Sequence, residues 1–361
     1  MASRNLMKAA QIREYKQPYQ LTKVRVPSIR PSELLVRVHA AGFCHSDVQV
    51  LNGQFSSPLP LIPSHEPAGV IVQVGAALAD QSWRIGDHVG VLNFKSACGA
   101  CTGCAVARRR WCGGLDPRFC EKRETAGFHH DGAFAEYLVA DPSTTVRLPD
   151  DLSFEQAAPL MCAGATVWGA LEKAMTSIEP GAFVAIVGIG GLGHLGLQFA
   201  KSQGFRTVAI DSRAEGRDLA QHVPEALVPN LVVDSSDPEA PSEILKHTDG
   251  EGLAAAIVCT DSVEANSWTL RQLGIGGVMV ALGLPSERWQ FDSDMMVFRE
   301  LTIKGSYVTS AESTRRMMEA VGKHGVRSHV TTVTFEDIPR IVDMYHDKSF
   351  KGRLVVEIGG H

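Results

Sequence analysis

The sequence predicts an α/β fold in two parts: a doubly wound parallel sheet covered by helices, and a smaller, mainly β, irregular barrel. Three observations carry this. At 361 residues the chain exceeds the size at which one core keeps growing, so two domains are expected. Up to Asp150 it holds short alternating apolar runs broken by turn residues, and from Asp151 apolar runs alternate with helical stretches. A glycine-rich turn lies between one of those runs and a helical pattern.

In chain order, Leu34 to Val38 and Gly69 to Gly75 read as strands, and Gly86-Asp87 as a turn. No long amphipathic pattern intervenes, so residues 1–155 form the β domain. Strands over Phe183 to Val187, Thr207 to Ile210, Ala254 to Cys259 and Val278 to Leu282, with a helix over Leu192 to Gln203, make residues 156–300 the parallel-sheet domain. The strand Leu301 to Val308, a helix near Thr314 to Lys323 and a closing strand Arg353 to Ile358 assign residues 301–361 to completing the sheet and returning to the first domain. There is no internal repeat, low-complexity segment or obvious linker.

With 44% hydrophobic and 21% charged residues, the chain can bury a core and is not intrinsically disordered. A net charge of −5 leaves no footprint for nucleic acid or an anionic membrane, and the run Arg108 to Arg110 is local. No apolar run is long enough to span a membrane and the N-terminus lacks an apolar signal core, so a cytosolic location is expected. There the eight cysteines serve as metal ligands or buried thiols rather than disulfides.

Cys98, Cys101, Cys104 and Cys112, separated by two, two and seven residues, have the spacing of a tetrahedral zinc cage. Four sulfurs leave no open position, so this zinc is expected to hold a loop; a disulfide framework or an iron-sulfur cluster are the lesser readings. Separately, Phe183 to Val187 runs into Gly188-x-Gly190-x-x-Gly193. There a glycine permits the turn, another lets backbone approach a pyrophosphate, and another packs helix on strand. Amides around Gly191 and Leu192, at the helix start, face the phosphates. Asp211 ends the next strand, where its carboxylate suits the adenosine ribose hydroxyls and favours NAD over NADP. Arg213 and Arg217 soften that preference.

Three further segments, Gly42-Phe43-Cys44-His45-Ser46-Asp47, Ser64-His65-Glu66-Pro67-Ala68-Gly69 and Pro159-Leu160-Met161-Cys162-Ala163-Gly164, join the cysteine loop and the glycine turn in one order. Together, from Lys8 to Ile358, they resemble the zinc-dependent alcohol dehydrogenases of the medium-chain dehydrogenase/reductase family, especially the yeast type. The resemblance implies a GroES-like catalytic domain. It implies a catalytic zinc on Cys44, His65 and Cys162, a structural zinc, and NAD as cofactor. By the same resemblance Asp47 orients His65, Glu66 stands behind the metal, and Ser46 relays the proton of the reacting oxygen. His45 contacts cofactor and is a candidate base, because Gln49 occupies the position of the usual relay histidine. Thr166 matches a residue on the nicotinamide side, Arg353 an arginine reaching the pyrophosphate, and Phe55 with Leu92 to Phe94 the pocket wall. Met295, Met296 and Phe298 read first as core. Ser64 and Pro67 replace glycines common around the histidine-glutamate pair. The cysteine loop is longer than the family's: counting forward from Cys104 selects Cys112 as fourth ligand, and counting back from Gly127 selects Cys120. Cys112 is preferred, since an insertion after a closed cage perturbs less than one inside it.

The expected reaction is hydride transfer between a primary or secondary alcohol and NAD, with aldehyde or ketone in reverse. An NADP-dependent aldehyde reductase is the alternative, and a zinc-finger binding module would need a basic surface that the charge does not supply. The partner is a small-molecule substrate, and the assembly expected by analogy is a homotetramer, with a dimer as the alternative.

Overall fold

The computed structural model describes residues 6–78, 82–110, 114–347 and 349–359. The chain divides into two compact units: residues up to Cys162 with Ser310–Arg315 and the segment from Val330 onward, and Ala163–Thr309 with Arg316–His329.

The first unit is built on a seven-stranded sheet centred on Leu34–Phe43. This ten-residue strand, buried at eight positions, pairs antiparallel with Glu66–Val74 on one side. Tyr137–Ala140 and Arg353–Glu357 share its other side. His88–Val91 and Thr145–Arg147 extend the sheet one way and Val330–Thr334 the other. The core gathers Val36, Phe43, Ile71, Val89, Phe134 and Val356. Two elements that sequence periodicity did not reveal lie here: helix His45–Leu51, and helix Thr102–Arg110, which buries only Cys104 and Ala107.

The second unit is a six-stranded, wholly parallel sheet. Its strand order is Leu231–Val233, Arg206–Ile210, Phe183–Val187, Leu253–Val258, Leu273–Ala281, Thr302–Gly305. Phe183–Val187, buried throughout, is central, and the order reverses between it and Leu253–Val258. Ligands of such sheets bind at the carboxyl ends of the strands beside that switch. The small side chains of Ala185 and Ala256, both fully buried in this core, let the covering helices approach the sheet. The expected strand over 301–308 is shorter, Thr302–Gly305, and the helix over Ala311–His324 is longer than its pattern suggested. No described helix is long and apolar enough to cross a membrane.

Candidate active site

Strand register builds the first cluster. Leu34–Phe43 sets Gly42 against Glu66 and Phe43 against Leu354, so the next residues along, Cys44, His65 and Arg353, converge at one end of the sheet. Cys162 comes from elsewhere, ending the short turn Ala158–Met161, whose four residues are all buried. Cys44, His65, Glu66 and Cys162 bring one ligand atom each to within 4.8 Å of one another. His65 Nε2 lies 3.2 Å from Cys162 Sγ and 3.5 Å from Ser46 Oγ.

Asp47 organises this set. Fully buried in the first turn of helix His45–Leu51, its carboxylate accepts the backbone N–H of Cys44 at 2.8 Å and of Ser64 at 3.1 Å. It also lies 3.3 Å from His65 Nδ1. A carboxylate only accepts, so Nδ1 carries the hydrogen and Nε2 is left for the cluster. Ser64 itself has φ 72°, left-handed backbone that is uncommon outside glycine, and its hydroxyl donates to the Gly42 carbonyl at 2.9 Å.

The electrostatics suit a cation. A hydrogen bond from Cys162 holds the Cys44 thiol well below its ordinary range, against burial, and the same contact with Cys44 pushes Cys162 up. Burial disfavours protonated His65, but Asp47 and Cys44 outweigh it and hold the imidazole well above its ordinary range. Burial pushes Glu66 up to about 7 despite Arg353. Arg353 is itself buried and pairs with Glu66 Oε1, while Glu66 Oε2 has no hydrogen-bond partner. An orphaned carboxylate oxygen beside two thiols and an imidazole fits a dication, and the nitrogen-sulfur donor set fits zinc. Arg353 thus directs its charge at Glu66 in this structure.

The second cluster lies in the segment between two short paired strands, Phe94–Lys95 and Glu124–Thr125. Its sulfurs belong to Cys98, Cys101, Cys104 and Cys120, within 4.8 Å of one another. Cys112, the expected fourth ligand, lies outside the described residues. The chain reaches Cys120 because helix Thr102–Arg110 packs on the turn Pro117–Phe119; a Cβ at Gly103 would fall 1.8 Å from the Phe119 carbonyl oxygen. Cys120 Sγ, buried, accepts from the N–H groups of Cys98 and Lys122, both at 3.3 Å. N–H groups of Ala100 and Cys101 lower the Cys98 thiol to about 6, and the Glu121 N–H lowers that of Cys101. Burial raises Cys104 to about 12. Backbone amides aimed at sulfur favour thiolates, the form a metal takes.

In the second unit, Gly188, at φ 86°, turns the chain out of its strand. Gly191 and Leu192 lead into helix Gly193–Ser202, where a Cβ on Gly193 would fall 2.1 Å from the Gly188 carbonyl oxygen. Asp211 is buried and accepts the Ile189 N–H at 2.7 Å, tying it to the turn. It also holds the Arg213 N–H at 2.8 Å and the Arg213 guanidinium at 2.9 Å. Thr166 is half-buried in the first turn of helix Ala163–Met175.

The remaining expected residues fall in varied settings. His45 is exposed, 6.3 Å from the Tyr345 ring, and Gln49 is half-buried on the same helix. Leu92 and Phe94 are buried. Phe55 is exposed and packs edge-on against Phe128, whose ring lies 5.1 Å from that of His65. Phe128 carried no signal in sequence. Met295 and Met296 pack against the second core, whereas Phe298 is 80% exposed.

Residues 30–150 match the family model of the alcohol dehydrogenase GroES-like domain, and residues 191–323 that of the zinc-binding dehydrogenases. An alcohol dehydrogenase of Geobacillus stearothermophilus is 34% identical over 98% of this chain and 100% of its own length. One from Rhizobium meliloti is 33% identical over 98% and 99%. The crystal structure of the alcohol dehydrogenase from Aeropyrum pernix superposes with TM-score 0.82 at 28% identity, covering 97% of this chain and 99% of that one.

Proposed function

The chain belongs to the zinc-dependent alcohol dehydrogenase family and is an alcohol oxidoreductase; from that premise we propose that it uses NAD to interconvert a primary or secondary alcohol with its aldehyde or ketone, with one catalytic and one structural zinc per chain. The observation that carries the reading is the convergence of Cys44, His65 and Cys162, with Asp47 behind His65.

Cys44, His65 and Cys162 would hold the catalytic zinc, and Cys98, Cys101, Cys104 and Cys120 the structural one. Bound at their sites, zinc supplies the Lewis acidity that makes a substrate hydroxyl easier to deprotonate, and nicotinamide supplies the hydride acceptor. Asp47 fixes the His65 tautomer through Nδ1. Ser46 Oγ, beside His65 Nε2, accepts the alcohol proton and donates its own onward, since a hydroxyl does both. Gln49 does not titrate near neutrality, so the proton leaves to solvent beside exposed His45. Arg353 neutralises Glu66 behind the cluster.

Asp211 at the glycine turn supports NAD, its carboxylate opposing a 2′-phosphate. One observation favours a second reading: the Arg213 guanidinium rests on that carboxylate and can partner a 2′-phosphate, which supports use of NADP by an aldehyde reductase. The assembly expected by analogy is an oligomer, tetramer before dimer, and exposed Val297 and Phe298 offer apolar surface for a subunit contact.

Zinc-loaded protein assayed on aliphatic, aromatic and polyol alcohols with NAD and with NADP, by nicotinamide absorbance and again after chelation, tests the reading. Turnover should favour NAD, vanish on chelation, and fall roughly 10²-fold in Ser46→Ala. No turnover of any alcohol or aldehyde by metal-loaded protein defeats it.

A further inference from the structure

The glycine turn carries a set of bonds on its inner side that the sequence did not announce. His194, the second residue of helix Gly193–Ser202, is 1% exposed. Its backbone N–H and its Nδ1 both reach the Gly190 carbonyl oxygen, at 3.2 and 2.8 Å. Its Nε2 lies 3.0 Å from the His329 backbone N–H and 3.4 Å from Ser328 Oγ. A backbone N–H can only donate, so Nε2 accepts and Nδ1 carries the hydrogen, one neutral tautomer that bonds at both ends. One helical turn further, fully buried Gln198 grips the same segment at two points. Its Nε2 donates to the Arg327 carbonyl at 2.8 Å and its Oε1 accepts the Arg327 N–H at 2.9 Å. Residues 327–329 end the second unit's share of the chain, immediately before Val330.

A trans peptide holds its C=O and the following N–H antiparallel. Two donors from His194 draw the Gly190 carbonyl toward the helix, so the Gly191 N–H points the opposite way. The turn is open at this point: a Cβ on Gly190 would meet only the Arg213 guanidinium, at 3.9 Å. We propose that His194 is a positioning residue for the dinucleotide, fixing the Gly190–Gly191 peptide so that the Gly191 amide is presented to a phosphate, with the His329 N–H setting the tautomer that keeps the hydrogen on Nδ1. The inference rests on the reading of the glycine turn as the dinucleotide site. It assigns His194 no contact with the ligand; the effect passes through the peptide it holds.

The two ends of the imidazole can be tested apart. In Asn the amide nitrogen sits near the place of Nδ1, so His194→Asn keeps the bond to Gly190 and drops the one to His329. Gln extends to the place of Nε2, so His194→Gln does the reverse. Dissociation constants for NADH and ADP-ribose, measured by titration, should rise about tenfold in His194→Gln and His194→Ala but stay within about threefold of the parent in His194→Asn. The KM for alcohol at saturating cofactor should not move. A purely structural histidine would lower the thermal midpoint without separating Gln from Asn. Equal weakening in those two variants, or unchanged NADH binding in His194→Ala, overturns the proposal; if the alanine variant does not fold, the Asn and Gln pair decides. Parent protein that binds neither NADH nor NADPH overturns the dinucleotide reading, and this inference with it.

Discussion

The two thiol clusters use similar ligands on opposite kinds of scaffold. Cys44, His65 and Cys162 come from three separated segments and meet only because strand register and a buried turn bring them together. Cys98, Cys101, Cys104 and Cys120 lie in one continuous segment, and Cys98 is exposed. The first set is held in place by the core of its unit; the second substitutes for a core in a segment that buries little of its own, as Thr102–Arg110 illustrates. The difference teaches how much of each cluster the fold itself supplies. At the first site the packed sheet already sets the candidate ligands, so on the function proposed above a metal there would serve chemistry; at the second it would serve order.

The comparison breaks or sharpens on four variants. The largest effect is expected for His65→Ala: turnover should fall by about 10³-fold or more and one of two zincs should be lost, with the thermal midpoint little changed because the sheet supports the remaining ligands. A large fall in midpoint would show that the first metal also carries the fold. Next, Cys120→Ser should lose the other zinc and lower the midpoint by about 10 °C, while kcat per remaining zinc stays within about threefold. Cys112→Ser should keep both zincs; zinc loss in that variant instead would restore Cys112 as the fourth ligand.

The smallest effect concerns the root of the cysteine segment. His130 bridges to Ala126 just past the paired strands, and burial, then Lys95, lower its imidazole to about 4 from 6.5. Its folded form is therefore neutral, the unfolded chain binds more protons between those values, and stability is lost as pH falls from about 6.5 through 4. Denaturant titrations at pH 7 and 4.5 should show the parent losing about 2 kcal/mol more than His130→Asn. Equal losses would remove His130 from the account.

The same contrast decides what sequence could convey. The parallel sheet was legible because Phe183 to Val187 and its neighbours are uniformly apolar and the glycine turn punctuates them. The cysteine segment was legible as a candidate metal loop because its cysteines are close in sequence, but the path through Pro117–Phe119 that brings Cys120 to the cluster is not encoded in spacing. The first cluster had no spacing to read. Register between Gly42 and Glu66 assembles it, and only resemblance to a family drew those residues together beforehand. Arg353 was legible by the same route only in part: resemblance aims it at a phosphate, and register beside Phe43 adds a pairing with Glu66 that the sequence did not convey. His194 and Phe128 escaped both routes, since a buried histidine or phenylalanine looks like any other core residue until its partners are known.

The paired strands at the base of the cysteine segment have a wider consequence. Phe94 faces Thr125 and Lys95 faces Glu124, with a 3.2 Å ion pair between the latter two, so the segment leaves and re-enters the unit at adjacent points. Its contour length is thereby decoupled from the sheet beneath it. A replacement of different length grafted between those gateposts would keep the same two points of attachment, which makes this cassette the place for engineers to exchange.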